Sequence, residues 1–251
     1  MKKLLFLLFM LILSISASSK NFKYHPKTKD ELKELIENEA IYLGDIDTSA
    51  ITDMSYLFID ACGTAYEYII TKRKNFSGIG KWDTSNVTDM EGLFYKMKDF
   101  NEEISAWNTS KVENMSSMFE DADNFNRSLN NWDVSKVKTM KNMFRGAISF
   151  NQPLNKWNVG EVMDMEEMFE AAYKFNQNIN SWNVSKVKYM EEMFFEAVSF
   201  NQSLNRWNVS NVKDMARMFC DAKKFNQDLS MWKVQGATDT VNMFLGSPLE
   251  N

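Results

Sequence analysis

Residues 129–152 read L-N-N-W-D-V-S-K-V-K-T-M-K-N-M-F-R-G-A-I-S-F-N-Q, and most of the chain is variation on this stretch. Tryptophan occurs only at Trp82, Trp107, Trp132, Trp157, Trp182, Trp207 and Trp232, each 25 residues from the next. A fixed period of this size marks units that cannot bury an apolar face alone and must stack on their neighbours.

Within the unit the hydrophobic spacing changes halfway. Trp132 and Val134 flank polar Asp133, the alternation of a short strand, whereas Val137, Met140, Phe144 and Ala147 are spaced like one face of a short helix. Ser135 stands where an N-cap would. Strands repeated in one direction through helical crossovers give a right-handed arrangement. The expectation is therefore an α/β fold, a right-handed solenoid of about eight 25-residue strand–short helix repeats. Trp82, Trp107, Trp132, Trp157, Trp182, Trp207 and Trp232 would form its interior column, each burying roughly 150–250 Å².

The flanks depart from the repeat. Residues 1–19 hold Lys2, Lys3, an apolar run and a small polar end, the pattern of a signal peptide too short to span a membrane. Residues 20–43 read as an N-terminal capping segment, with Thr28 to Glu31 as a capping box and Leu32, Leu35 and Ile36 as one helical stripe. Residues 44–251 form the repeat region. An insertion at about 62–75 carries Lys72, Arg73 and Lys74, and it reads either as a binding loop or as a loop folded over the end. The repeat from Trp232 decays and should close as a polar turn, with Phe244 and Leu249 partly exposed and available for self-association. Cys62 and Cys220 lie six repeats apart, too far for a disulfide, so both should be free thiols.

No phosphate loop, metal-ligand spacing or nucleophile motif occurs, and the single histidine, His25, lies outside the repeats. No cofactor, metal or catalytic residue is expected. Glu166, Glu167, Glu170, Glu191, Glu192 and Glu196 read as an outward, solvated acidic face. With a formal net charge of −5, neither nucleic acid nor an anionic membrane is the natural partner. The candidate binding surface is the outward row Asp83, Asn108, Asp133, Asn158, Asn183 and Asn208, with Lys156 and Arg206 from the more variable row beside it. The same Asp and Asn side chains could instead serve only to bond the turn backbone.

The unit L-x-x-W-x-V-S-x-V-x-x-M-x-x-M-F-x-x-A-x-x-F-N-Q closely resembles the repeat of BspA-like leucine-rich-repeat surface proteins, also found in Mycoplasma surface lipoproteins. The resemblance implies a leucine-rich-repeat-like fold and a secreted or surface role in adhesion. Two departures stand out: no lipoprotein cysteine follows the leader, and Val137 occupies the usual asparagine position. The sequence thus points to an exported protein, secreted, periplasmic or at the cell surface. It would bind a protein partner, a host cell-surface or matrix protein, without catalysis. The alternative is a self-associating structural component of the envelope.

Overall fold

A computed structural model of the chain describes residues 21–61, 68–236 and 238–250. Among these residues, α-helix is confined to α1 (Lys29–Glu37), with two short 3-10 turns at Leu43–Asp45 and Ile79–Lys81. Named strands are confined to β1 (Ile59–Ala61) and β2 (Tyr68–Ile70), an antiparallel pair with Ile59 opposite Ile70. The α/β reading is overturned. Residues 132–134 form no strand and residues 137–147 form no helix. Without strand–helix–strand crossovers, the right-handed leucine-rich-repeat-like solenoid inferred from them does not stand.

Each repeat is instead a rung of consecutive turns. One parallel bridge per repeat joins Asp53, Asp89, Asn114, Thr139, Asp164, Tyr189, Asp214 and Asp239 in sequence. The bridge falls within the segment read as helix, not at the tryptophan. Ser135 does not cap a helix; its N–H donates to Asp133 Oδ1 at 3.0 Å within a turn.

Backbone conformation explains why the helix is lost. Two residues per rung have left-handed φ, as at Asn142 (58°) and Gly146 (65°), and the equivalents Glu167, Ala171, Glu192 and Glu196 lie between 51° and 55°. A non-glycine residue there costs roughly 1 kcal/mol, so something must offset it. The N–H groups of Met143, Arg145 and Ala147 donate three residues back, to Met140, Asn142 and Phe144. The alternate N–H groups of Met140, Asn142, Phe144 and Gly146 donate to the next rung, to Asp164, Glu166, Met168 and Glu170, at 2.8–3.0 Å. A helix would consume every N–H internally and leave the rungs joined by side chains alone. The turn ribbon keeps the three- and four-residue spacing of apolar side chains while tying neighbouring backbones together.

At flanking positions the bonds run toward the preceding rung, Lys138 donating back to Glu113, Met163 to Lys138, Lys188 to Met163 and Ser149 to Asp123. Within the ribbon the inter-rung bonds run in the one opposite sense. Met54 donates to Asp89, Met90 to Asn114, Met115 to Thr139, and so on to Met215 donating to Asp239. Parallel series start from Tyr56, Phe94 and Lys96 and end at Val241, Met243 and Leu245. In an ordinary sheet the peptide dipoles largely cancel, whereas in a helix they add. Within the ribbon they add, carbonyls facing the amino-terminal end and N–H groups the carboxy-terminal end, and the flanking series partly opposes them.

The interior is columnar. Indoles stack 6.3–6.4 Å apart in the pairs Trp82–Trp107, Trp107–Trp132, Trp157–Trp182, Trp182–Trp207 and Trp207–Trp232. A phenylalanine column runs from Phe58 through Phe144 and Phe169 to Phe244, and a second from Phe100 through Phe150 to Phe225. Such separations suit offset stacking. Trp82 to Trp207 are buried; Trp232, on the last rung, is partly exposed. A polar seam accompanies the columns, in which Asn126, Asn151, Asn176 and Asn201 each accept from the backbone N–H 25 residues ahead.

The two ends differ. Over the first rung lies α1, with Leu32 and Ile36 buried and Thr28 Oγ1 accepting from Glu31 N–H at 3.2 Å. Lys29 bonds Asp53 and Ser55, and Lys33 bonds the carbonyl of Ile59, placing cations at the carbonyl end of the stack. Arg73, in the insertion read as a binding loop or as a loop folded over the end, is 3% exposed and donates to the carbonyls of Ile36, Asn38 and Ile41, closing the helix C-terminus as the second reading has it. The closing turn is not polar as expected: Met231, Val234, Val241 and Leu245 are exposed on the last rung, while Phe244 and Leu249 pack partly against the core. Cys220 is a free, buried thiol. Residues 1–19, read as a signal peptide, and Cys62 lie outside the described residues.

Candidate functional site

The extended segments flanking each tryptophan turn one neighbour outward on either side. Asp83, Asn108, Asp133, Asn158, Asn183 and Asn208 are all exposed, and so are Lys156 and Arg206. They follow a segment rather than a strand, but the rung stacking brings them into two adjacent rows.

Every member of the Asp/Asn row has a defined local bond. Oδ1 of Asp83, Asn108 and Asp133 accepts from the N–H of Ser85, Ser110 and Ser135 at 2.9–3.1 Å. Oδ1 of Asn158, Asn183 and Asn208 accepts from Gly160, Ser185 and Ser210 at 3.2 Å. These are Asx turns, in which the side chain supplies the acceptor that starts a turn. The Ser135 hydroxyl and N–H hold the Asp133 carboxyl below the usual carboxylate range. Each side chain retains free polar atoms beyond this bond. In the first three rungs a threonine two residues after the tryptophan position adds a tie: Thr48, Thr84 and Thr109 hydroxyls donate to the carbonyls of Asp83, Asn108 and Asp133.

The neighbouring row is less committed. Lys156 Nζ donates to Asn131 Oδ1 at 3.1 Å, while the Arg206 guanidinium bonds no described group. Arg206 overhangs a groove of about 550 Å³ lined also by Pro153, Asn155, Gln177, Asn178, Asn180 and Ser181. The groove is walled by amides, a hydroxyl and one cation, with no carboxylate. In a chain of net charge −5 it is a locally neutral-to-positive strip.

The glutamates form a second surface, and not the solvated face expected. Arg145 reaches three carboxylates, Glu120 at 3.0 Å, Glu167 at 3.0 Å and Glu170 at 2.8 Å. Lys141 pairs with Glu166 and Arg217 with Glu192. Glu120 is only 5% exposed, and burial raises its carboxyl. Burial and the adjacent Glu170 push Glu167 up to about 7. The network staples rungs together. Its sequence signal was the 25-residue offset of Glu120, Arg145 and Glu170, which the repeat period places one above another.

His25 Nδ1 lies 3.2 Å from Asp47 Oδ2, on the amino-terminal flank. Among the described residues no cluster of His, Cys, Asp and Glu is arranged to hold a metal, and no helix is long and apolar enough to cross a membrane. A family model described as "Mycoplasma protein of unknown function, DUF285" matches residues 64–172 and 153–251. No curated protein and no solved structure matches the chain.

Proposed function

The chain belongs to this DUF285 family of Mycoplasma proteins of unknown function, and we propose that it is an exported, surface-exposed binding module that engages a protein partner without catalysis. The observation that carries the reading is the paired outward rows. Asp83, Asn108, Asp133, Asn158, Asn183 and Asn208 repeat one exposed chemistry, while the row beside them changes from Lys156 to Ser181 to Arg206. An invariant row builds the surface, and a variable one gives it character. Stacked-repeat proteins commonly bind through such extended faces. The resemblance of the unit to that of BspA-like surface proteins, and the signal-peptide pattern at residues 1–19, support an exported location, and the partner is a host surface or matrix protein.

The test is binding of residues 20–251 to cultured cells and purified matrix proteins, beside the double variant Lys156→Glu, Arg206→Glu. These side chains start no turn, so the variant keeps the fold. A tenfold or greater loss in a variant of unchanged melting supports the reading. Undiminished binding removes this face from consideration, and the absence of any bound partner counts against the binding role.

A further inference from the structure

The groove beneath Arg206 crosses three rungs, and side-chain size opens it. In the row beside the tryptophans, small Ser181 stands between the long Lys156 and Arg206, and Lys156 Nζ turns away to Asn131 on the rung before. The space of about 550 Å³ is bounded by Asn155 of the preceding rung and Arg206 of the following one.

Backbone bonds fix which end of each amide faces this space. Asn178 Oδ1 accepts from the Asn180 N–H at 3.0 Å, which leaves Asn178 Nδ2 over. Asn130 Oδ1 accepts from the Lys156 N–H at 3.0 Å, so Asn130 Nδ2 donates to Asn155 Oδ1 and Asn155 Nδ2 is left over. A backbone N–H only donates, so neither amide reverses without losing its bond. The donors of the groove are therefore Asn155 Nδ2, Asn178 Nδ2 and the Arg206 guanidinium, none of which bonds a described group. Two acceptors accompany them. Gln177 Nε2 is occupied by the carbonyl and Oδ1 of Asn151, leaving Oε1, and the Ser181 hydroxyl donates to the Asn155 carbonyl at 3.4 Å, leaving its lone pairs.

We infer that this groove is a site for an acidic sugar, a ring carrying one carboxylate and several hydroxyls. A guanidinium offers a carboxylate two parallel N–H bonds, and no carboxylate in the lining repels it. The two amide NH2 groups donate to the remaining carboxylate and ring oxygens. Sugar hydroxyls donate as well as accept, and Gln177 Oε1 and Ser181 Oγ receive them. A simple carboxylate would leave both acceptors unused, and a neutral sugar would leave the cation unpaired. The inference rests on the reading of this face as a contact surface and narrows the partner to one that bears such a sugar.

The test titrates residues 20–251 with sodium glucuronate, with glucose and with acetate, following the side-chain N–H resonances of Arg206, Asn155 and Asn178. Saturable shifts are expected with glucuronate, at an affinity at least tenfold above those of glucose and acetate. Asn178→Asp keeps the acceptor for the Asn180 N–H but replaces the donor with an anion, and should weaken glucuronate tenfold or more at unchanged melting. Absence of saturable shifts, or acetate or glucose binding as tightly as glucuronate, would overturn the inference. So would full glucuronate affinity in the Asn178→Asp variant. Matrix-protein binding by a chain that ignores glucuronate would overturn this inference alone. Glucuronate binding by a chain that captures no protein would uphold it and count against the protein partner.

Discussion

The indole N–H of Trp157 donates to the carbonyl of Leu129, 28 residues back, at 2.9 Å. The same bond recurs from Trp107 to Ile79, Trp132 to Ile104, Trp182 to Leu154 and Trp207 to Ile179. Tryptophan is thus required for a donor as well as for its area. Trp157→Phe should keep the ring stack but orphan a buried carbonyl, costing about 1–3 kcal/mol. Trp157→Ala should cost about 3–5 kcal/mol. Chemical denaturation of both checks this, and a Phe variant as stable as the parent would sink the hydrogen-bond role.

Ala171 has φ of 51°. In a helix, Ala171→Gly would destabilise by about 0.5–1 kcal/mol. On a turn ribbon the same change relieves left-handed strain and should stabilise by up to about 1 kcal/mol. The sign of the melting shift separates the two backbones.

How much of this was legible follows from what a spacing can encode. Val137, Met140, Phe144 and Ala147 gave the buried positions correctly, because any ribbon that returns inward every three or four residues buries the same set. They could not reveal the left-handed residues, which carry Asn, Glu, Ala or Arg as readily as Gly and leave no consistent mark. The Asp/Asn row was legible as exposed and as turn-bonding. Arg145 among its three carboxylates was not, since that contact depends on which side of the rung those positions face.

The Glu167 carboxyl, raised from 4.5 to about 7, binds its proton more tightly in the folded state. Its contribution to stability is therefore fully present below about pH 4.5 and is lost as pH rises through about 7. Glu167→Gln should flatten that part of the stability–pH curve, measured by denaturation across the window. A slope unchanged by the substitution would refute the assignment.

Arg145 is the shared cation of Glu120, Glu167 and Glu170. Arg145→Met preserves the stem but leaves three carboxylates of neighbouring rungs facing one another. A loss of about 2 kcal/mol near neutral pH is expected, shrinking in acid as the carboxyls protonate. A pH-independent loss would indicate packing alone.

Asn151 Oδ1 accepts from the Asn176 N–H and from Gln177 Nε2. Asn151→Ala removes both and should cost about 1–3 kcal/mol. Asp133→Ala, which loses one exposed turn bond, should cost less than half as much. Comparing their melting midpoints orders the two rows by structural weight.

The constant pattern of the backbone bonds between rungs also bears on how such a chain can change length. Every internal interface presents the same donor row to the same acceptor row, so a 25-residue segment duplicated in frame arrives with both faces already matched. What must be conserved is the phase of the ribbon and not the length between ribbons. The chain displays this freedom itself: Asp53 and Asp89 bridge across 36 residues, and Met54 still meets the Asp89 carbonyl at 2.9 Å. Growth and shrinkage by whole units, with loops free to vary between them, is the form of variation this architecture makes cheapest.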